Sequence, residues 1–314
     1  MSAIEKLGLQ SSEKVSANGY SDTQQQTKDI FGFKWEKRDT YEDGGMENYV
    51  QKWLIERYAK GDAANLDKIL GSESKVIIDA GCGSGFSALL LFGDKLNKHD
   101  YLGIDISSAV KVAAERFKEK GIKGEFLQMS VLDIPVADNS VDVIFSEGVL
   151  HHTDSTEKAI KYLAGKIKPG GVFMFYVYAK KSAVREFTDD YVREQIKGMS
   201  DEEAWEALKP LTRLGIALGE MNATINIKED IPVLGIKKGE MDLQRFLYWN
   251  FCKTYYRPEY TFEEMNHINF DWFRPLNCHR QTPEEVKQWC KEANLDIEEI
   301  VVEDAGITII ARKK

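Results

Sequence analysis

"VIIDAGCGSGFSALLL", residues 76–91, sets three glycines within five positions, between a β-branched apolar run and an apolar stretch with helical character. A turn this bare, directly after a strand and directly before a helix, lets a ligand approach the backbone at the strand's carboxyl end. The same segment fixes the fold class, because its strand–turn–helix pattern repeats on either side of it.

Outward from it, "KVIIDA", "YLGIDIS", "GEFLQMS", "VDVIFSEGV" and "GGVFMFYVY" read as short buried strands separated by helical stretches at 86–96, 108–120 and 154–168. Such alternation predicts a parallel sheet covered on both faces, an α/β doubly wound architecture. "KPGG", residues 168–171, reads as a helix stop and turn before the fifth strand. After Tyr178 the rhythm breaks for about a hundred residues and resumes at "TPEEVKQWCKEANL", which has a Thr N-cap and Pro at the first helical position. "IEEIVVED" and "GITIIARK" then close a mostly parallel, seven-stranded sheet as a hairpin-like edge. The expected divisions are an N-terminal arm at 1–45, a first core part at 46–179, an inserted α-rich lid at 180–280 and a closing core part at 281–314. The polar, Gln/Ser-rich residues 1 to 28 read as loosely held, and "MENYVQKWLIERYAK" as a helix with Tyr49, Trp53 and Leu54 on one face.

Composition bounds the partners. The chain has 314 residues, 43% of them apolar, which is ample for a core, and a net charge of −9 with no long basic block argues against nucleic acid as the main partner. Neither a signal peptide nor a membrane span is apparent, so a soluble, cytoplasmic protein is expected. Cys82, Cys252, Cys278 and Cys290 lack paired spacing and read as free thiols, and no compact metal-ligand pattern appears. Oligomeric state is not legible.

A dinucleotide-binding turn would read G-x-G-x-x-G, but Gly81, Gly83 and Gly85 read G-x-G-x-G, with Phe86 in the sixth position. Asp79 adds a carboxylate at the strand end, suited to an ammonium group and repulsive to a pyrophosphate. Asp105, ending the second strand, is placed to accept both hydroxyls of a ribose; its other reading is a cap for the following helix. Gly85 is likewise open to a packing role.

Together, "IDAGCGSG", "GIDIS", "SVLDIPVADNSVDVIFSEGVLHH" and "KPGGVF" resemble, in order and spacing, the successive motifs of class I S-adenosylmethionine-dependent methyltransferases. The resemblance covers about 75–178 and the closing 282–312. It implies a Rossmann-like fold with S-adenosyl-L-methionine as cofactor: Asp79, Gly81, Cys82, Gly83 and Gly85 around the methionine part, Asp105 and Ile106 at the ribose and adenine, and Ser130, Val131 and Leu132 along the adenine edge. Ser130, a weaker acceptor for the adenine amino group, stands where many relatives have Asp. Ser146 at the end of the fourth strand joins this set, as do Phe33, Trp35 and Lys37 from "FGFKWEKRDTYED", since similar segments in relatives fold back over the donor.

"SEGVLHHTD" places Glu147, His151 and His152 beside the expected methyl donor; a histidine there suits proton removal from an acceptor, and packing or orientation is its other reading. In the insertion, "QRFLYWNFCKTYYRPEYTFEEMNHINFDWFRP", residues 244–275, mixes rings with polar groups. Tyr248, Trp249, His267, Asn269, Trp272 and Arg274, with Tyr178 and Glu147, form the expected acceptor-binding set. The expected activity is methyl transfer to a small-molecule acceptor at O, N or C. A non-catalytic nucleoside-cofactor binding module and, further off, a nicotinamide oxidoreductase are the alternatives.

Overall fold

The computed structural model describes residues 2–9, 20–36 and 44–314. Along the chain run α1 (Ala3–Lys6), α2 (Asp22–Glu36), α3 (Gly44–Ala59), α4 (Leu66–Leu70), β1 (Val76–Ala80), α5 (Phe86–Phe92), β2 (Asp100–Asp105), α6 (Val110–Glu119), β3 (Glu125–Gln128), β4 (Val141–Glu147), α7 (Thr156–Lys166) and β5 (Ile167–Tyr178). They continue as α8 (Ala183–Ile196), α9 (Asp201–Glu220), β6 (Thr224–Ile227), β7 (Gly239–Asp242), α10 (Leu243–Asn250), α11 (Phe262–Phe273), α12 (Pro283–Glu292), β8 (Leu295–Val302) and β9 (Gly306–Lys313).

Two units result. The first takes in residues 2–36, 44–179 and His279–Lys314, and the second takes in Lys180–Cys278. A seven-stranded sheet in the order β3-β2-β1-β4-β5-β9-β8 organises the first unit. Its β1, β2, β3, β4 and β5 pair in parallel, and β9 is antiparallel to both β5 and β8. This is the expected doubly wound, mostly parallel sheet. Every residue of β1 is buried, and alternate side chains enter opposite layers: Ile78 and Ala80 pack with Ile104, Ile144 and Phe175, while Ile77 packs with Tyr101, Val143 and Phe145. Covering both faces is what makes the strand sequences nearly continuous in apolar residues.

Three local expectations need correction. Residues 1 to 28 are not a loose arm throughout: Ala3, Leu7 and Leu9 are buried in the sheet's core, Ile4 N–H donates to Glu125 Oε2 at 2.9 Å, and Lys6 pairs with Asp100 at 2.5 Å. Apolar residues spaced along a short capped helix give it enough area to dock. On α3 the buried face holds Leu54, Arg57 and Tyr58, whereas Tyr49 is exposed. "KPGG" does follow the end of α7, but as a bulge inside β5: Val141 pairs with Ile167 and Val143 with Val172, so residues 168–171 loop out, with Gly170 at φ +80°.

The second unit is α-rich, with α8, α9, α10 and α11 and a two-stranded β6–β7 hairpin. Ser200 at the start of α9 and Thr261 at the start of α11 each make a reciprocal cap with a glutamate three residues on. The chain packs closely against α9 at Gly215 and Gly219, where a β-carbon would collide with Thr254 or the Tyr256 ring.

Candidate functional site

Three carboxylates stand at the carboxyl ends of adjacent strands: Asp79 on β1, Asp105 on β2 and Glu147 on β4. Asp79 is 2% exposed, and its Oδ2 accepts from the Tyr101 hydroxyl at 2.6 Å. Burial pushes its carboxyl up to about 7; the Tyr101 bond opposes this, and the charges of Asp105 and Glu147 add to it. Glu147 is also raised by burial, held back by Arg57 and by the Tyr58 hydroxyl that donates to it. Concentrated negative charge here favours a ligand's positive group and disfavours a pyrophosphate.

The glycine turn joins the first two strand ends. Gly81 and Cys82 N–H both donate to Ile104 carbonyl, at 2.7 and 2.9 Å, Gly85 N–H donates to Cys82 carbonyl, and Gly83 N–H donates to Asp105 Oδ2 at 2.9 Å. These four donors are committed to holding the turn, so it does not present them to a ligand as a row of N–H groups. At Gly81 (φ +89°) a β-carbon would overlap the Val149 side chain, and at Gly85 (φ +74°) it would lie 2.8 Å from the Phe117 ring. Gly81 therefore lets Val149, just beyond β4, close onto the end of β1, and Gly85 lets α5 pack against α6. Asp105 Oδ1 accepts from both Ser107 N–H (2.8 Å) and Ser107 hydroxyl (2.6 Å). Asp105 thus closes a local turn onto Ser107 rather than capping α6, whose N-cap is Ala109, and these bonds do not exhaust a carboxylate that accepts about four.

Among the other residues expected near the donor, Cys82 is buried with its thiol pushed well above the ordinary value by burial. Ile106 follows Asp105, its carbonyl accepting from Gln128. Ser130 Oγ accepts from Leu132 N–H at 3.2 Å, which sets the turn carrying Ser130, Val131 and Leu132 beyond β3. Ser146 is corrected to a structural role: it is fully buried, and its hydroxyl donates to Ala80 carbonyl at 2.7 Å, tying β4 to the end of β1. Phe33 and Trp35 fall within α2, with side chains outside the described set, and Lys37 lies outside the described residues.

Beyond β4, His151, His152 and Tyr178 gather into one aromatic cluster. The His151 ring stacks on Tyr178 with centroids 3.7 Å apart and lies 4.3 Å from His152, and both histidines are buried. Residues from α2 complete it: Phe31, the first residue of the "FGFKWEKRDTYED" segment, meets His152 edge-on at 5.2 Å, and Gln24, to which no motif points, donates to His152 carbonyl at 3.0 Å. Expected as an acceptor contact, Glu147 instead anchors a buried network. Arg57, sandwiched between Trp53 and Tyr176 at 3.5 and 3.9 Å, reaches Glu147 at 3.5 Å and Glu303 at 2.7 Å. Tyr101, Arg57 and Tyr58 carry no motif of their own. Their only sequence signal is a polar group inside an otherwise apolar strand or helix face.

The acceptor-binding set of the second unit does not converge on one point. His267 is buried edge-on against Trp205 at 5.7 Å. Asn269 is fully buried, donating to Thr212 Oγ1 at 2.9 Å and accepting from Tyr255 N–H at 3.2 Å. Arg274 is corrected from ligand clamp to internal tie: its guanidinium bonds Asp201 Oδ1 (2.7 Å), Ile196 carbonyl (3.3 Å) and Met199 carbonyl (2.9 Å), closing the turn between α8 and α9. Tyr248, Trp249 and Trp272 do come together, around the cations Lys181 and Arg185.

The donor set, carboxylates around the glycine turn, fits a cofactor with a cationic amino-acid end and a ribose. Residues 78–175 match a methyltransferase domain family. An uncharacterised protein of Synechococcus sp. is 37% identical over 33% of this chain and 25% of its own length. A ubiquinone biosynthesis O-methyltransferase of Rickettsia felis is 27% identical over 55% of this chain and 61% of its own. A tRNA U34 carboxymethyltransferase of Methylococcus capsulatus is 31% identical over 30% of this chain and 29% of its own. The chain thus spans less than two thirds of the length of each of these relatives. Among the described residues, no helix is long and apolar enough to cross a membrane. With its sheet order, strand-end carboxylates and glycine turn, the segment 78–175 is a class I S-adenosylmethionine-dependent methyltransferase domain.

Proposed function

We propose that this protein transfers a methyl group from S-adenosylmethionine, held by the first unit, to a small-molecule acceptor. The observation that carries the reading is the triad of strand-end carboxylates around the glycine turn. Asp79 would face the ammonium end and Asp105 the ribose, while Ile106 and Ser130 to Leu132 would border the adenine. When bound, the cofactor supplies a methyl group on a sulfonium: the carbon–sulfur bond breaks with its electron pair going to sulfur, as the acceptor atom bonds the methyl carbon. Loss of positive charge at sulfur makes positioning the main task, with a proton leaving the acceptor where it is a hydroxyl or amine. His151 and His152 are the candidates for that proton, and Phe31, Gln24 and Tyr178 fix the orientation of their rings and backbone.

The test is calorimetric titration with S-adenosylmethionine, S-adenosylhomocysteine and NAD, followed by incubation of a metabolite extract with methyl-labelled donor. Binding of the two sulfur nucleosides without NAD, and label in a small molecule, is the expected result. Binding without any labelled product supports a non-catalytic module, and NAD binding alone supports an oxidoreductase. The tRNA-modifying relative motivates one further arm, label offered to total tRNA. The net charge of −9 weighs against that acceptor.

A further inference from the structure

Within the second unit, one place buries more positive than negative charge. Arg185 and Arg193 of α8 and Lys253, just after α10, are each more than nine-tenths buried. Together with Lys181 they surround Trp272, lying 5.5, 5.4, 4.7 and 5.8 Å from its ring for Arg185, Arg193, Lys253 and Lys181. The buried carboxylate among them is Asp189, and its oxygens are taken: Oδ2 accepts from Arg185 Nε and Trp272 Nε1, both at 2.7 Å, and Oδ1 from Lys253 backbone N–H at 3.4 Å.

The two guanidiniums are engaged by the protein itself, except at Arg193 Nε, which is buried without a hydrogen-bond partner among the described residues. Arg185 Nη1 donates to Tyr248 carbonyl; Arg193 donates to Asp190, to Trp272 carbonyl and to Cys278 Sγ. The Lys253 ammonium is different: among the described residues, no carboxylate approaches it within ion-pair distance, and its near neighbours are the Trp272 face and the more distant charges of Asp271, Asp189 and Arg185. Burial, reinforced by Arg185, pulls the ammonium down to about 7 against the attraction of Asp271 and Asp189. An ammonium kept in such surroundings is costly unless an anion meets it.

We propose that Lys253 anchors a carboxylate of a ligand bound within the second unit, an organic acid. This goes beyond the reading above. A monoanion suits the site better than phosphate: beside the Lys253 ammonium, Arg193 Nε is the one guanidinium nitrogen there that is buried without a partner among the described residues, and Tyr248, Trp249 and Trp272 supply an apolar, aromatic surround.

The experiment titrates benzoate and, separately, inorganic phosphate onto the full chain by calorimetry, in the wild type, Lys253→Met and Lys253→Arg, with S-adenosylmethionine titrated in parallel. Benzoate binding to the wild type, weakened at least about tenfold by Lys253→Met and largely retained in Lys253→Arg, is the expected pattern. Donor binding should be unchanged in both variants. A wild type that binds S-adenosylmethionine but not benzoate overturns the carboxylate site and leaves the methyltransferase reading standing; failure of donor binding overturns that reading. Phosphate binding tighter than benzoate overturns the choice of carboxylate. If Lys253→Met does not fold, the wild-type and Lys253→Arg titrations still decide the matter.

Discussion

Gly83 donates its backbone N–H to Asp105 Oδ2 across 2.9 Å, so the turn after β1 and the carboxylate ending β2 are one structural object. Asp105 therefore has two duties, and substitution separates them. Asp105→Asn keeps an acceptor oxygen and should cost little stability while weakening S-adenosylmethionine binding about tenfold. Asp105→Ala also removes the bonds from Gly83 and Ser107, and should lower stability by ~1–3 kcal/mol besides weakening the donor more. Calorimetry paired with thermal melts distinguishes the two effects. Unchanged donor affinity in a folded Asp105→Asn would remove Asp105 from the donor site.

Gly81→Ala tests the close packing of the turn against Val149. Its β-carbon overlaps Val149 at a backbone φ of +89°. Destabilisation of ~2–4 kcal/mol and loss of donor binding are expected from overpacking and backbone strain together. Adding Val149→Ala should restore part of the stability, the steric part, and not the share that comes from the positive φ. Equal melts for the single and double variants would show that the strain is wholly in the backbone.

Asp79 makes stability fall with pH. Its carboxyl, raised to about 7 from the usual 3.8, is protonated in the folded state across a range where the unfolded chain has already ionised. Stability is thus unaffected by this group below about pH 4, declines between 4 and 7, and levels off above. Asp79→Asn, which keeps an oxygen for the Tyr101 hydroxyl, should equal the wild type near pH 4 and exceed it at pH 8 by up to ~4 kcal/mol, read from urea unfolding. If the donor's ammonium meets Asp79, binding tightens from pH 6 to 8 and releases a proton, visible as a buffer-dependent calorimetric heat. Binding heats that ignore buffer and pH would separate Asp79 from the ammonium.

Arg274 should behave as a structural residue. Its guanidinium closes the α8–α9 turn through Asp201 and two carbonyls. Arg274→Ala is expected to lower stability by ~2–4 kcal/mol, leaving buried acceptors unmet, while benzoate affinity in the surviving folded fraction stays unchanged. A normal melt with lost ligand affinity would return Arg274 to the binding site.

The succession of strands, the glycine turn, Asp79 and Asp105 are legible in the sequence alone, because parallel strands buried on both faces leave continuous apolar runs and because a bare turn must be spelled in glycine. What the sequence does not convey is which polar groups meet. Arg57 reaches Glu147 across 90 positions and Glu303 across 246, Gln24 reaches the His152 carbonyl across 128, and Tyr101 meets Asp79 only because β1 and β2 lie side by side. Ser146 and Arg274 read as ligand contacts because a hydroxyl at a strand end and a guanidinium among rings are the groups a site would use. Tertiary structure engages both internally, with Ala80 carbonyl and with the α8–α9 turn. It also gathers Lys253, Arg185, Arg193 and Trp272 from three separate segments into one buried cluster. Local pattern determines where backbone turns and which faces are apolar. The partner of a buried charge is decided by packing, since desolvation forces each such group to find whatever acceptor or donor the fold brings within reach.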